Sequence, residues 1–307
     1  IKATFLPINL EKTYVPDDNF ERALISLGYD KDMDDYVYTQ QIMLVEELRM
    51  EGYGIEDLTG IQDFKNLKYL WISDNAISSL DVSQNTALIS LGCNENRLSD
   101  LDISNNTALL VLFAHHNPLS CIQINETQFE KVFQIPYINF TGYFADDGVS
   151  FSTDCEALSN STTYIPDDNF EQALIDEGLD DVKDNYVQTI DIAGLRSLDI
   201  SNKNISDLTG IEDFTLLMNL IANNNNISDI EMMKDLHVYR IDVSFNLLDK
   251  LDISAFGCLY ELDLRGNDLS CIQVSEEQLD CMASINTIRY MRVYKEEDVI
   301  ISLDCGI

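Results

Sequence analysis

Apolar residues recur along the chain with a step of 21 positions. Leu67, Leu70, Ile72, Ile77 and Leu80 are followed by Leu88, Leu91, Cys93, Leu98 and Leu101, then by Leu109, Leu112, Ala114, Leu119 and Ile122. Asn75, Asn96 and Asn117 keep the same step. The second half repeats the pattern at Leu217-Leu220-Ala222, Val238-Ile241-Val243 and Leu259-Leu262-Leu264, with Asn225, Asn246 and Asn267. A weaker turn opens each half at Val45-Leu48-Met50 and Leu195-Leu198-Ile200. The pattern L-x-x-L-x-L-x-x-N-x-L predicts one short parallel strand per repeat, because alternate residues of a strand point inward. The asparagine ends the strand, and its amide satisfies backbone groups of the turn. A single turn cannot bury its own apolar face, whereas stacked turns do so against their neighbours. The predicted fold is an α/β leucine-rich-repeat solenoid with a parallel sheet on its concave face.

A longer period lies over the short one. Tyr14-Val15-Pro16-Asp17-Asp18-Asn19-Phe20-Glu21 returns 150 positions later as Tyr164-Ile165-Pro166-Asp167-Asp168-Asn169-Phe170-Glu171. Asp57-Leu58-Thr59-Gly60-Ile61 returns as Asp207-Leu208-Thr209-Gly210-Ile211. We read this as a tandem duplication of one module. Before each array, Phe20, Ala23, Leu24 and Leu27, and their counterparts, space out a helical apolar stripe between a Pro-Asp-Asp-Asn start and a glycine stop. These elements, Pro16 to Gly28 and Pro166 to Gly178, are the expected N-terminal caps over the open sheet edge. The boundaries are an N-terminal arm (1–13), a first module (14–155), a Ser/Thr-rich linker (156–163) and a second module (164–307).

Each array is followed by two cysteines 34 positions apart, Cys121 and Cys155, then Cys271 and Cys305. The simplest reading is a disulfide closing each C-terminal cap; buried thiols are the alternative. Cys258 and Cys281 replace Ala108 and Lys131 of the first copy together, so a third bond is expected. Cys93 takes an inward strand position and reads as a buried free thiol. Disulfides place the chain in an oxidising compartment, extracellular or at the cell surface.

Charge narrows the partners. The chain carries 54 Asp plus Glu against 19 Lys plus Arg, a formal net charge of −35. Splitting after Cys155 gives −15 and −20, so the acidity belongs to both modules. Nucleic acids are excluded as partners by this field. No apolar run reaches the roughly 20 residues of a membrane span, so no membrane insertion is expected. The opening Ile1-Lys2-Ala3-Thr4-Phe5 is too short and weakly apolar for an intact signal peptide, and reads as a mature or trimmed start.

The phrases Val15 to Leu24, Leu101-Asp102-Ile103-Ser104-Asn105-Asn106-Thr107-Ala108-Leu109 and Leu119-Ser120-Cys121-Ile122-Gln123 resemble secreted leucine-rich-repeat proteins of Bacteroidetes and marine flavobacteria. They are more distantly similar to internalin-type repeats. The resemblance spans about residues 14 to 305. It implies an exported or surface-displayed recognition protein and carries over no catalytic residue. Such proteins often end in a sorting domain, so a fragment of a longer protein is expected.

Residues flanking the inward leucines form a grid on the concave face, with rows about 4.8 Å apart. In module 1 it runs Glu47, Arg49, Glu51; Tyr69, Trp71, Ser73; Ser90, Gly92, Asn94; Val111, Phe113, His115, with His116 beyond. The single tryptophan and its aromatic neighbours surround Gly92, which predicts a notch for a peptide side chain or a sugar ring. Lateral packing of the same aromatics along the sheet is the alternative. Module 2 carries Ser197, Asp199, Ser201; Asn219, Ile221, Asn223; Arg240, Asp242, Ser244; Glu261, Asp263, Arg265. Asp242 and Asp263 share a column, to be neutralised by Arg240 and Arg265 or to hold a cation. The spacing of Asp30, Asp32 and Asp34 resembles the start of a calcium loop, against a solvated acidic turn. No cofactor is expected, with calcium at this turn as the alternative. His115 and His116, near Asn94 and Glu95, offer zinc ligands. No hydrolase, redox or phosphate-loop motif occurs, and an enzyme is not expected. The leading expectation is a non-enzymatic extracellular module binding a protein partner through module 1's concave face. Polysaccharide binding and a structural spacer are the alternatives.

Overall fold

The computed structural model describes residues 11–132, 142–283 and 291–306. The chain divides into two compact units, Ile1–Cys155 and Glu156–Ile307. Most of the expected N-terminal arm lies outside the described residues.

In unit 1 a two-stranded antiparallel sheet, β1 (Lys12–Tyr14) and β2 (Tyr36–Tyr38), accompanies the cap helix Asp18–Leu27. Five parallel strands follow in the order β3 (Glu47–Arg49), β4 (Tyr69–Trp71), β5 (Ser90–Gly92), β7 (Val111–Phe113) and β9 (Gly142–Phe144). A second parallel sheet stacks β6 (Leu101–Asp102), β8 (Cys121–Gln123) and β10 (Ser150–Ser152). Unit 2 repeats the plan. Its antiparallel pair is β11 (Thr162–Tyr164) and β12 (Tyr186–Gln188), beside the cap helix Asp168–Asp176. Its five-stranded sheet is β13 (Ser197–Asp199), β14 (Asn219–Ile221), β15 (Arg240–Asp242), β17 (Glu261–Asp263) and β19 (Arg292–Tyr294). Its three-stranded sheet is β16 (Leu251–Asp252), β18 (Cys271–Gln273) and β20 (Ile300–Ser302). This ladder of in-register parallel strands, one per repeat, is a leucine-rich-repeat fold.

The inward leucines do what their spacing predicts. Leu48, Leu70, Leu91 and Leu112 stack across the sheet and are fully buried. Each such side chain contributes about 1.5–3 kcal/mol by leaving water. The asparagines do more than end a strand. The Asn96 amide donates to Ile72 O at 2.9 Å and Cys93 O at 3.1 Å, while its oxygen accepts from Ile77 N. One side chain thus ties two repeats together. Asn75 and Asn117 make the same set in unit 1, and Asn225, Asn246 and Asn267 in unit 2.

A second amide row was not foreseen. Asn85 donates to Ile61 O and Phe64 O, Asn106 to Val82 O and Asn85 O, and Gln128 to Ile103 O and Asn106 O. In unit 2 Gln278 keeps its place, but the counterpart of Asn106 is the buried Phe256.

The caps follow the sequence closely. Asp17 Oδ1 accepts from Asn19 N and Phe20 N at the start of the helix. Its Oδ2 accepts from Glu56 N at 2.8 Å and Asp57 N at 3.0 Å, so one carboxylate caps the helix and clamps the first repeat. Asp167 does the same and also holds the Ser206 hydroxyl. Gly28 closes the helix at φ 84°, a left-handed conformation that glycine adopts without strain. Phe20 packs on Phe64, and Phe170 on Phe214.

All three disulfides are present: Cys121–Cys155, Cys258–Cys281 and Cys271–Cys305. Cys93 is buried and unbridged, and burial pushes its thiol up to about 12. The stretch read as a linker contains regular structure. Cys155–Ser159 forms a short helix, and β11 already begins at Thr162. The Ser159 hydroxyl, in the last turn, and the Asn160 amide, just past it, both donate to Glu156 O at the helix's C-terminal end.

Candidate functional site

The strand register places the expected grid on the solvent-facing side of each five-stranded sheet. In module 1 Arg49, Trp71, Gly92 and Phe113 stand in one column, each paired with the next across neighbouring strands. The column is one residue longer than the sequence reading, because β9 adds Phe144 beside Phe113. The signal for this strand was the counterpart Tyr294, also aromatic, but it carried no leucine period.

The side chains of this column touch. The Arg49 guanidinium lies 5.4 Å from the Trp71 ring, and Trp71 lies 6.2 Å from Phe113. Phe113 stacks on Phe144 at 5.1 Å and meets His115 edge-on at 6.4 Å. Glu47 holds Arg49 by a 2.7 Å ion pair. Tyr69, in the next column, remains 38% exposed.

The expected notch at Gly92 is not open. A Cβ at Gly92 would fall 2.5 Å from Trp71 Cε3, so the indole itself lies over the glycine. Gly92 therefore serves to seat Trp71 rather than to admit a ligand. Trp71 Nε1 is covered and has no acceptor among the described residues. Asn94 accepts from the Ser73 hydroxyl at 2.8 Å, which fixes the polar edge of the patch.

In module 2 the same column runs Asp199, Ile221, Asp242, Asp263 and Tyr294. Arg240 bonds Glu261 at 2.9 Å rather than Asp242. Asp242 accepts instead from the Ser244 hydroxyl at 2.6 Å and Asn223 Nδ2 at 3.1 Å. Arg265 pairs with Asp263 through Nε at 3.0 Å and lies 5.3 Å from the Tyr294 ring. Its guanidinium pKa is raised, first by that hydrogen bond and then by the Asp263 charge. Only one of the two expected neutralisations, Arg265 on Asp263, has formed. Ser197, Asn219, Ile221, Arg240, Asp242 and Glu261 line a depression on this face, where module 1 has its rings.

Asp30, Asp32 and Asp34 do not converge. The Asp34 carboxylate is engaged by Lys12 Nζ at 2.8 Å, and this hydrogen bond lowers its pKa. The turn is organised from below: the buried Glu21 accepts from Asp34 N at 2.8 Å, as Glu171 accepts from Asp184 N. The ligand atoms of Glu95, His115 and His116, by contrast, do come together.

No family model matches the chain, and no curated protein matches it. Among solved structures, it is similar to the functional domain of InlJ from Listeria monocytogenes, described as including a cysteine ladder. The TM-score is 0.38 at 20% identity, over 96% of this chain and 64% of that one. It is also similar to the internalin InlF of Listeria monocytogenes, with TM-score 0.33 at 18% identity, over 94% and 92% of the two chains. The chain thus spans less than two thirds of the InlJ domain. The repeat fold rests on the strand ladder itself. The three disulfides fit an oxidising environment. No helix among the described residues is long and apolar enough to cross a membrane.

Proposed function

We propose that the chain is a non-enzymatic recognition module of a secreted or surface protein, binding a protein partner through the aromatic column of module 1. The observation that carries this reading is the row of Trp71, Phe113 and Phe144 on the solvent-facing side of the sheet, with Tyr69 beside it. Rings half-open to water are costly to maintain, and partner binding removes that cost. Aromatic and arginine side chains are also the commonest anchors of protein interfaces, and Arg49 caps this row. An acidic surround selects a partner with basic or neutral edges.

The test is capture of a partner from the protein's natural environment, with Trp71→Ala and Phe113→Ala as comparison proteins. The expected outcome is loss of capture with the circular-dichroism spectrum unchanged. Unchanged capture by both variants would remove the site assignment. If both variants unfold, the rings are lateral packing and the surface reading fails. Binding on a glycan array, abolished by the same variants, would replace the protein partner with a polysaccharide.

A further inference from the structure

Three side chains at the end of module 1's sheet converge outside the aromatic column. The ligand atoms of Glu95, His115 and His116 all lie within 4.8 Å of one another, and no other such group of three or more His, Cys, Asp or Glu occurs among the described residues. The repeat creates this meeting. Glu95 and His116 occupy the same position of consecutive repeats, one step past the outermost grid column. Both have left-handed backbone, with φ 57° and 56°. Glu95 N–H donates to His115 O at 3.0 Å, and His116 N–H donates to Asp146 Oδ2 at 2.6 Å. The backbone beneath the three side chains is therefore held, while Glu95 and His116 stay exposed and His115 half-buried.

Module 2 supplies the contrast. Its counterparts are Phe245, Arg265 and Gly266. Gly266 has φ 73°, so glycine satisfies this left-handed position without strain. Phe245 covers it, since a Cβ there would fall 2.5 Å from Phe245 Cδ1. Module 1 carries a histidine where the backbone favours glycine, and two nitrogen donors where module 2 has none.

We infer that Glu95, His115 and His116 bind one zinc ion. Two imidazole nitrogens and one carboxylate oxygen are a zinc donor set, and a tetrahedral ion leaves its fourth position for water. Bonds of about 2.0–2.2 Å require the donor atoms to close to roughly 3.3 Å. Rotation of the exposed Glu95 and His116 side chains supplies that movement. Hard cations such as calcium and magnesium prefer all-oxygen sites, so they compete poorly here. This inference does not rest on the proposed partner-binding role.

The test is calorimetric titration of the full chain with zinc, in excess magnesium to saturate the acidic surface. Imidazole resonances are recorded alongside. One saturable equivalent is expected. The signals of His115 and His116 should move, while those of His237, the third histidine, stay in place. His116→Gly, which copies module 2 and suits the backbone, should weaken zinc by about tenfold or more. Glu95→Gln and His115→Gln should do the same, with unchanged circular dichroism. No saturable zinc binding, or binding undiminished in His116→Gly and His115→Gln, overturns the site.

Discussion

Modules 1 and 2 agree along their inward leucine and asparagine columns and part where side chains point out. Their cap carboxylates, asparagine columns, phenylalanine pairs and terminal disulfides correspond one to one. Their solvent-facing grids do not. Module 1 presents rings capped by an arginine; module 2 presents paired charges. The far ends differ as well. In module 1 Lys131 Nζ donates to Leu109 O, and Asn106 belongs to the second amide row. In module 2 a disulfide takes the places of Ala108 and Lys131, and Phe256 takes the place of Asn106. The lesson is that the stacked interior fixes backbone and register, leaving both the outer face and the closing device free to change.

The largest effect should come from reduction. Each 34-residue disulfide loop restricts the unfolded chain by about 3–4 kcal/mol, and the 23-residue loop of module 2 by a similar amount. Module 2 therefore loses about twice as much as module 1 in reductant. Hydrogen exchange on the full chain, read module by module, should show module 2 opening first. Equal loss in both would mean that Cys258–Cys281 adds no stability.

Next comes the amide row. Asn106→Ala leaves the carbonyls of Val82 and Asn85 without their donor in a buried setting. The expected cost is about 2–3 kcal/mol by urea denaturation. Phe256→Leu, at the corresponding place in module 2, removes no hydrogen bond and should cost about 1 kcal/mol.

Asp167→Ala should cost about 1–2 kcal/mol through lost capping. Burial raises this carboxyl's pKa, but hydrogen bonds from Ser206, Phe170 and Asn169 outweigh it and hold the group below its ordinary 3.8. A depressed carboxylate contributes fully above its unfolded pKa and loses that contribution as pH falls through the folded one. The gap between wild type and variant should thus be full near neutrality and vanish in strong acid. A gap independent of pH would mean that the charge plays no part. Smallest of all is Arg240→Ala, which breaks one exposed ion pair and should change stability by less than about 1 kcal/mol.

The fold was legible because repetition multiplies a weak signal. One L-x-L is ambiguous; stacked at a 21-residue step, with asparagines in phase, it leaves a single architecture. The two terminal disulfides were legible for the same reason, as Cys121 and Cys155 have counterparts at identical spacing, and the third because Cys258 and Cys281 appear together in one copy only. β9 was missed because Gly142-Tyr143-Phe144 lies beyond the last leucine motif and outside the 21-residue step. The second amide row was missed because Asn85, Asn106 and Gln128 mix residue types and vanish partly from module 2. The site was half legible. Spacing put Trp71, Gly92 and Phe113 in one column, but not the rotamer that lays the indole over Gly92. Side-chain direction also decided the acidic residues: the turn at Asp30 to Asp34 is gathered by Glu21 and Lys12.

The disulfides have a mechanical consequence. Stretched from its ends, an unbridged chain lengthens by about 3.3–3.6 Å for each residue released. Cys121–Cys155 keeps 34 residues out of that extension, roughly 110–120 Å of contour. In module 2 the two bonds interleave, since Cys271 lies between Cys258 and Cys281, and Cys281 lies between Cys271 and Cys305. The stretch from Cys258 to Cys305 can then lengthen only by the segment between Cys271 and Cys281, and breaking either bond alone leaves the other still holding. Under shear, each module can unravel from its cap helix inward only as far as its first bridged cysteine.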